Sequence, residues 1–526
     1  MTFPSRNILG ALAASVALAS GAQAAPNCEA LARLDLAATT ITKSETVPAG
    51  DFKPPTGKAL KGLPAFCRVT GAIKPSSDSD IQFEIWMPSS NWNGKFQGVG
   101  NGGFAGDIGY EQMGNFVAHN YATASTDTGH RAGGTDASWA LDHPEKITDF
   151  GYRAIHETAA KAKLILHAFY GAEARHSYFS SCSNGGRQAL MEAQRYPEDY
   201  DGIIAGAPAN YWTHLLANAA WDNLALLGEK GSYIPPKKLA AIQSAALAAC
   251  DAADGVKDGV IEDPSRCHYD TSVLLCKEAE SDSCLTAPQL AALNKLYSGG
   301  STSHGHIFPG YSPGGEAEPG GWSVWITGFT PEHSLMYAFS TQFYKNMVFD
   351  NANWDYHTFN PDRDTKAAED KQTKNLNATD ANLTRFRARG GKLILYHGWS
   401  DAAIAPENTI DYFKSVEAKM GAKQTASFVR LFMAPGMEHC GGGSGANSFG
   451  QFAASSGDAD RDMDAALERW VEKGIAPERI VAVKRKNDQD PASEVVKTRP
   501  LCAYPLTAHY QGSGSTDDAA NFTCAK

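Results

Sequence analysis

The chain has 526 residues, 43% hydrophobic and 20% charged, which is ample for a large core and allows about two to four domain-sized units. Its formal charge is −11 at pH 7 with no basic tract, which argues against a nucleic acid partner.

Residues 1–24 stand apart from the rest. Arg6 is their only charge, "ILGALAASVALA" is an apolar run of signal-peptide length, and "AQA" ahead of Ala25 is a small-residue cleavage site. The run is too short to span a bilayer and no other segment is apolar enough, so no membrane partner is expected. The mature chain, at −12 once Arg6 is removed (−11 − 1), is expected in a periplasm or outside the cell. All ten cysteines follow this segment, and an even number in an exported chain reads as five disulfides. Sequence neighbours suggest Cys250 with Cys267, Cys276 with Cys284 and Cys502 with Cys524, which leaves Cys28, Cys67, Cys182 and Cys440. No C-x-x-C spacing points to zinc or redox work.

"IQFEIWM" (81–87) alternates apolar and polar residues and predicts a half-buried strand. "GKFQGVGNGGFAG" (94–106) predicts a short strand entering a glycine-rich loop. In 151–171 a helical period places Ile155, Ala159, Ala162, Leu166 and Phe169 on one face. A strand at about 176–181, a helix over 186–196 and a short apolar strand at 201–208 follow. This alternation implies a mostly parallel sheet covered on both faces, with residues 25–209 as its first part. It breaks over 210–380, where cysteine-bounded loops, a Gly/Pro-rich stretch and an aromatic run (321–349) without a clean period suggest an inserted domain. It resumes in 381–526 with a strand at 391–398, a helix around 406–419, a strand at 426–434 and a helix at 463–474, the last with Met463, Leu467, Trp470 and Val471 inward.

Three residues in this frame carry chemistry. Ser183 sits in Ser181-Cys182-Ser183-Asn184-Gly185, a relaxed form of the G-x-S-x-G nucleophile elbow of α/β hydrolases, between a strand and a helix. Small flanking residues suit a backbone that must reverse within about one residue; a helix-capping serine is the plainer alternative. Asp401 follows the strand "LILYHG", where it could equally be an N-cap, and His439 lies beyond the next strand, where a surface-loop histidine would be ordinary. Together they reproduce the order serine, acid, histidine that the fold uses. Cys182 and Cys440 flank the serine and the histidine; if those two side chains meet, the cysteines are neighbours, and Cys28 is left for Cys67. One oxyanion donor should be the N–H of Asn184, the residue after the serine. Separately, Asp251, Asp254 and Asp258 crowd a glycine-bearing loop, which reads either as a solvated acidic loop or as a place for a hard cation.

"CSNGGR", "HGWSDA", "PGMEHCGGG" and "TRPLCAYPLTAHYQGSG…NFTC" resemble the tannase and feruloyl esterase family, which includes the mono-hydroxyethyl terephthalate hydrolases; the likeness runs from about Cys28 to Cys524. The resemblance implies an α/β-hydrolase fold with a large inserted lid domain. It implies Ser183 as nucleophile, His439 as general base and acid and Asp401 as its orienter. The family's elbow disulfide falls on Cys182 and Cys440, and Gly103 in "GNGGF" becomes the second oxyanion donor. It also implies one structural calcium ion in the Cys250–Cys267 loop, held by Asp251, Asp254, Asp258 and the carbonyls of Val256 and Val260. In the lid, Trp322, Trp325, Phe329, Phe339 and Phe343 are candidates for an acyl pocket, although core packing is expected for most of them, and Ile404 is a further candidate.

The expected function is a secreted serine esterase acting on small aromatic carboxylate esters, free or attached to plant polysaccharide, with no organic cofactor. Within 321–349 the only Lys or Arg is Lys345, which leaves no lid arginine for a free carboxylate and favours feruloyl esters over gallate esters or the terephthalate half-ester. A serine carboxypeptidase, which shares triad order and export, and a carbohydrate-binding protein with a dead site are the more remote readings.

Overall fold

Nine strands pair into one sheet in the computed structural model, which describes residues 1–2, 27–451 and 456–526. The signal peptide assigned to 1–24 therefore lies, apart from its first two residues, outside the described residues. In chain order the strands are β1 (Thr39–Val47), β2 (Phe66–Ile73), β3 (Ile81–Pro88), β4 (Lys95–Val99), β5 (Ala122–Thr126), β6 (His176–Cys182), β7 (Gly202–Gly206), β8 (Lys392–Gly398) and β9 (Val429–Ala434). Their spatial order is β1-β2-β3-β5-β4-β6-β7-β8-β9. The six strands from β5 to β9 run parallel, and β1, β2 and β3 extend that edge antiparallel.

β7, β8 and β9 are apolar along nearly their whole length, and all four strands from β6 to β9 are almost wholly buried, as strands covered on both faces must be, although β6 carries Ser177, Ser180 and Ser181 inside. β3 departs from its expected half-burial. Only Gln82 along it is half-exposed, and the polar Glu84 lies inside. Its carboxylate accepts from Arg68 (2.6 and 2.9 Å), Tyr110 (2.9 Å) and the Trp86 indole (2.8 Å), partners that alternation cannot reveal.

Helix α1 (Ala154–Tyr170) packs its expected apolar face inward and ends at Gly171, whose φ of 69° suits glycine. A π-type turn over Asp149–Arg153 leads into it. α2 (Asn184–Arg195) follows β6 directly, and α9 (Glu407–Met420) and α10 (Met463–Lys473) follow the later strands. Met463, Leu467 and Trp470 of α10 are buried, while Val471 is only partly so. The largest core cluster lines the sheet with residues of α1, α2 and α9.

β7 and β8 are immediate neighbours, so the 185 residues between them (392 − 206 − 1) leave the sheet and return to it. They hold α3 (Trp212–Leu227), α4 (Leu239–Cys250), α5 (Ala287–Ser298, with a capping box from Thr286 and Gln289), α6 (Leu335–Phe343) and α7 (Pro361–Leu376), plus the short helix α8 (Thr384–Ala388). Two clusters form the core of this insertion, one aromatic-rich and shared with Phe104, Ile147 and Phe150 of the first part, the other around Tyr311 and Trp322. The C-terminal hairpins β10–β11 (Arg479–Arg485, Val495–Cys502) and β12–β13 (Thr507–Tyr510, Phe522–Ala525) close the fold. The disulfides are Cys28–Cys67, Cys182–Cys440, Cys250–Cys267, Cys276–Cys284 and Cys502–Cys524. No helix among the described residues is long and apolar enough to cross a membrane.

Candidate active site

Ser183 stands on the turn from β6 to α2 with φ 66° and ψ −126°. A non-glycine residue there costs about 1–3 kcal/mol, so the surroundings must impose it. They do: the Ser183 N–H donates to the Gly206 carbonyl (2.9 Å), and its carbonyl accepts from Arg187 (3.1 Å) and Ala209 (3.1 Å). A side chain on Gly185 would collide with Ser181, and one on Gly186 with the Gly206 carbonyl, which is why "SNGG" is needed. The Ser183 hydroxyl makes no capping bond to α2, so the plainer reading of this serine as a helix cap fails. Asn184, at the first position of α2, is buried.

Asp401 lies just beyond β8, wholly buried. Its Oδ1 accepts the N–H groups of Ala403 (2.8 Å) and Ile404 (2.9 Å), and its Oδ2 accepts from His439 Nδ1 (2.8 Å). The cap of α9 is Pro406, so Asp401 is not that helix's N-cap. Burial alone would raise this carboxyl, but His439 and then His397 hold it well below the usual carboxylate range. His439 lies past β9, beside Cys440, whose φ is 65° and whose sulfur joins Cys182.

His397 escaped the sequence reading. Fully buried at the end of β8, it donates from Nε2 toward Asp401 Oδ2 (3.1 Å) and the Ile404 carbonyl (3.0 Å), while Nδ1 meets the Thr409 hydroxyl (2.7 Å). Asp401 Oδ2 thus faces two imidazoles. The available signal was a histidine four residues ahead of the acid in "YHGWSD", but one histidine closing an apolar strand also reads as core.

The glycine loop is fastened to the same helix. Asn101 exchanges bonds with Gln188 of α2 (N to Oε1 3.1 Å, Nε2 to Oδ1 3.0 Å), and its carbonyl accepts from Asn184 Nδ2 (3.3 Å). Gly103 has φ 53° and would strike the Gly134 carbonyl if it carried a Cβ, so glycine is required there. Arg187, also missed, is wholly buried without a carboxylate. It donates to the carbonyls of Gly151 (2.6 Å) and Phe150 (3.1 Å) and to Asn184 Oδ1 (2.9 Å), between the rings of Phe150 and Trp212. Desolvation pushes its guanidinium down to about 9.

A cleft of about 1280 Å³ is lined by Gly102, Gly103, Ser183, Trp325 and His439, and also by Lys58, Arg68 and Arg131. Trp325 meets the His439 ring edge-on (centroids 4.9 Å apart) and stacks on Phe339, which packs on Phe104, the residue after Gly103. The other lid candidates fall elsewhere. Trp322 and Phe343 are core residues, as expected for most of the set, and Phe329 is 68% exposed. Ile404 is buried in the cluster that holds Phe104 and Trp212.

Asp251, Asp254 and Asp258 share one loop with Val256 and Val260, closed by Cys250–Cys267. Asp251 accepts the N–H groups of Asp258 (3.2 Å) and Gly259 (3.1 Å), Asp254 accepts that of Val256 (2.9 Å), and Asp258 pairs with Lys497 (2.9 Å) and Arg499 (2.5 Å). Their oxygens do not all come within 4.8 Å of one another. The donor set is nonetheless all oxygen, the chemistry of a hard cation.

A serine on a strained strand-to-helix turn, with an aspartate and a histidine beyond later strands of a mostly parallel sheet, is the arrangement of an α/β hydrolase, and the family it matches makes the chain a carboxylic ester hydrolase. A family model described as tannase and feruloyl esterase matches residues 67–525, and the chain belongs to that family. It is 46% identical over 548 residues to an uncharacterized esterase of Xanthomonas campestris pv. campestris, covering 99% of this chain and 94% of that one. It is 35% identical over 466 residues to a probable feruloyl esterase B-2 of Aspergillus terreus (87% and 86% covered). Among solved structures it superposes on feruloyl esterase B from Aspergillus oryzae with TM-score 0.87 at 31% identity, covering 95% of this chain and 99% of that one. It shares the fold of the tannin acyl hydrolase from Aspergillus niger, with TM-score 0.73 at 23% identity over 93% and 92% of the two chains.

Proposed function

We propose that the protein is an exported serine esterase that hydrolyses aromatic carboxylate esters, feruloyl esters foremost. The observation that carries this is the His439–Asp401 bond (2.8 Å) in a loop cross-linked by Cys182–Cys440 to the turn that bears Ser183. Ser183 Oγ attacks the ester carbonyl carbon while His439 Nε2 takes its proton. The N–H groups of Asn184 and Gly103 hold the oxyanion, each worth about 3–4 kcal/mol of barrier. Collapse of the intermediate breaks the carbon–oxygen bond to the alcohol, which leaves with the proton from His439, and the acyl group remains on Ser183. Water, deprotonated by His439, then attacks that acyl group, and the proton returns to Ser183 as the acid departs. Asp401 keeps the Nδ1 proton in place throughout.

Trp325, backed by Phe339 and the buried Phe104, offers an aromatic face to the cleft beside His439, which suits a flat hydroxycinnamoyl group. The similarity to proteins named feruloyl esterases supports the same choice. A second reading, the terephthalate half-ester, draws on Arg131. This side chain lines the cleft and is 80% exposed, and its ion pair with Asp127 Oδ2 is long at 4.0 Å, which leaves its guanidinium available to a free carboxylate. The five disulfides suit an oxidising compartment, and a substrate displayed on plant polysaccharide would be met outside the cell. One calcium ion, held by Asp251, Asp254, Asp258 and the carbonyls of Val256 and Val260, would supply structural cross-linking only. Burial and then the charge of Asp258 raise the Asp254 carboxyl, a strain that a cation relieves.

Turnover of methyl ferulate, methyl gallate and the terephthalate half-ester, with Ser183→Ala as control, tests the reading. Methyl ferulate should be fastest, and Ser183→Ala should lose about six orders of magnitude in kcat. Equal rates on all three esters would overturn the substrate choice, and persistent turnover by the variant would remove the nucleophile.

A further inference from the structure

At the end of the sheet away from Ser183, three ligand-type side chains converge. His156 of α1, Glu192 of α2 and Asp199, in the turn before β7, place one nitrogen and two carboxylate oxygens all within 4.8 Å of one another. His156 Nδ1 lies 2.6 Å from Asp199 Oδ2, and its ring stacks on Tyr196 (centroids 3.7 Å apart), which fixes its plane. Glu192 is wholly buried, and neither of its carboxylate oxygens meets a donor. A buried carboxylate without a partner is costly, and this one points into a site that already holds an imidazole and a second carboxylate.

We infer that His156, Glu192 and Asp199 form a binding site for a divalent transition-metal ion, zinc by ligand chemistry, separate from both the catalytic residues and the aspartate loop. One imidazole nitrogen with two carboxylate oxygens is a borderline-soft donor set, unlike the all-oxygen loop at 251–260. The side chain of His156 is 27% exposed, so water can reach a fourth position. The charges agree in sign: Lys163, 3.9 Å from Asp199 Oδ1, offsets one of the two carboxylates and leaves one uncompensated. The bound ion would tie the C-terminal end of α2, whose N-terminus follows Ser183, to α1 and to the start of β7.

The full chain, stripped with chelator and returned to excess calcium, is titrated with Zn²⁺ by calorimetry and with Co²⁺ by visible absorption. One equivalent should bind and raise the melting temperature. His156→Ala and Glu192→Gln should each weaken binding by at least about tenfold and abolish that rise. Neither residue touches the proposed catalytic groups, so ester turnover serves as a folding control. No uptake, or uptake that both variants retain, would overturn the site. So would a Glu192→Gln protein as stable as wild type in both the stripped and the zinc-loaded states, because that is the signature of two carboxyl groups sharing a proton. If Glu192→Gln fails to fold, the half-exposed His156→Ala decides alone.

Discussion

Cys182–Cys440 closes a loop of 258 residues, whereas Cys250–Cys267 and Cys276–Cys284, both in the insertion, close 17 and 8. In the chain-entropy model the first removes on the order of 5 kcal/mol of freedom from the unfolded chain, and the others roughly 2–3 each. The two regions are held differently for a reason. Ser183 follows β6 and His439 follows β9, strands distant in sequence that the parallel sheet sets in one row with β7 and β8 between them, so their fastening has to be long-range. The two short bridges of the insertion join segments already close in the chain, and clusters shared with residues 104–150 and 402–405 pack it onto the sheet domain. The sheet supplies positions for reacting atoms, and the insertion supplies a wall.

Four measurements break or sharpen that contrast. The largest effect is expected from Cys182→Ala with Cys440→Ala, which should cost about 2–5 kcal/mol of stability and lower kcat as well. The matched pair Cys276→Ala and Cys284→Ala should lose stability but keep kcat, and calorimetry with single-substrate kinetics reads both. An equal loss of kcat in the two variants would erase the distinction.

Removing calcium comes next. If the ion stands at 100 times its Kd, stripping it costs about 2.7 kcal/mol, seen as a lower melting temperature that added calcium restores, with kcat of the folded enzyme unchanged. An unmoved melting temperature would remove the ion.

His397→Gln weakens a charge-assisted bond to Asp401, worth about 1.5–3 kcal/mol, so kcat should fall roughly tenfold to a hundredfold while KM holds. A variant with wild-type kcat would show that His439 alone orders that carboxylate.

The smallest effect is a slope. Asp222, buried in α3 of the insertion, accepts from Asn218 (3.0 Å) and Tyr311 (3.1 Å), and burial pushes its carboxyl up to about 8. The folded state therefore holds a proton that the unfolded chain, with an ordinary carboxyl near ~3.9, has released. Stability falls as pH rises through that window, by about 1.4 kcal/mol per pH unit between pH 5 and 7. Asp222→Asn should flatten that part of the melting-temperature profile, and an unchanged slope would place the titration elsewhere.

The four sheet strands between 176 and 434, and the helices at 184–195, 407–420 and 463–473, were legible because buried parallel strands are short runs and amphipathic helices keep a 3.6-residue period, whereas the insertion helices and the hairpin strands after 478 were not assigned. β1, β2 and β5 were not assigned. β1 is half-exposed with mixed side chains, and β5, "ATAST", is too small and polar to advertise its complete burial. The aromatic run 321–349 gave no period because it forms short helices whose rings face three directions: Trp325 the cleft, Trp322 and Phe343 the core, Phe329 solvent.

Of the proposed site, Ser183, Asp401 and His439 were readable because chain order, strand ends and two flanking cysteines are all one-dimensional facts. His397 and Arg187 were not, since a buried histidine or arginine is defined by what surrounds it. The sequence by itself determined the alternation that builds the sheet, the local disulfides and the three-residue order of the triad, because each depends on neighbours along the chain. Only the tertiary structure decided that Asp401 faces two imidazoles, that Glu84 and Arg187 are satisfied inside the core, and that His156, Glu192 and Asp199 meet. Those contacts depend on which side chains the fold turns toward one another, whether four residues apart, as His397 and Asp401, or tens of residues apart, as His156 and Asp199.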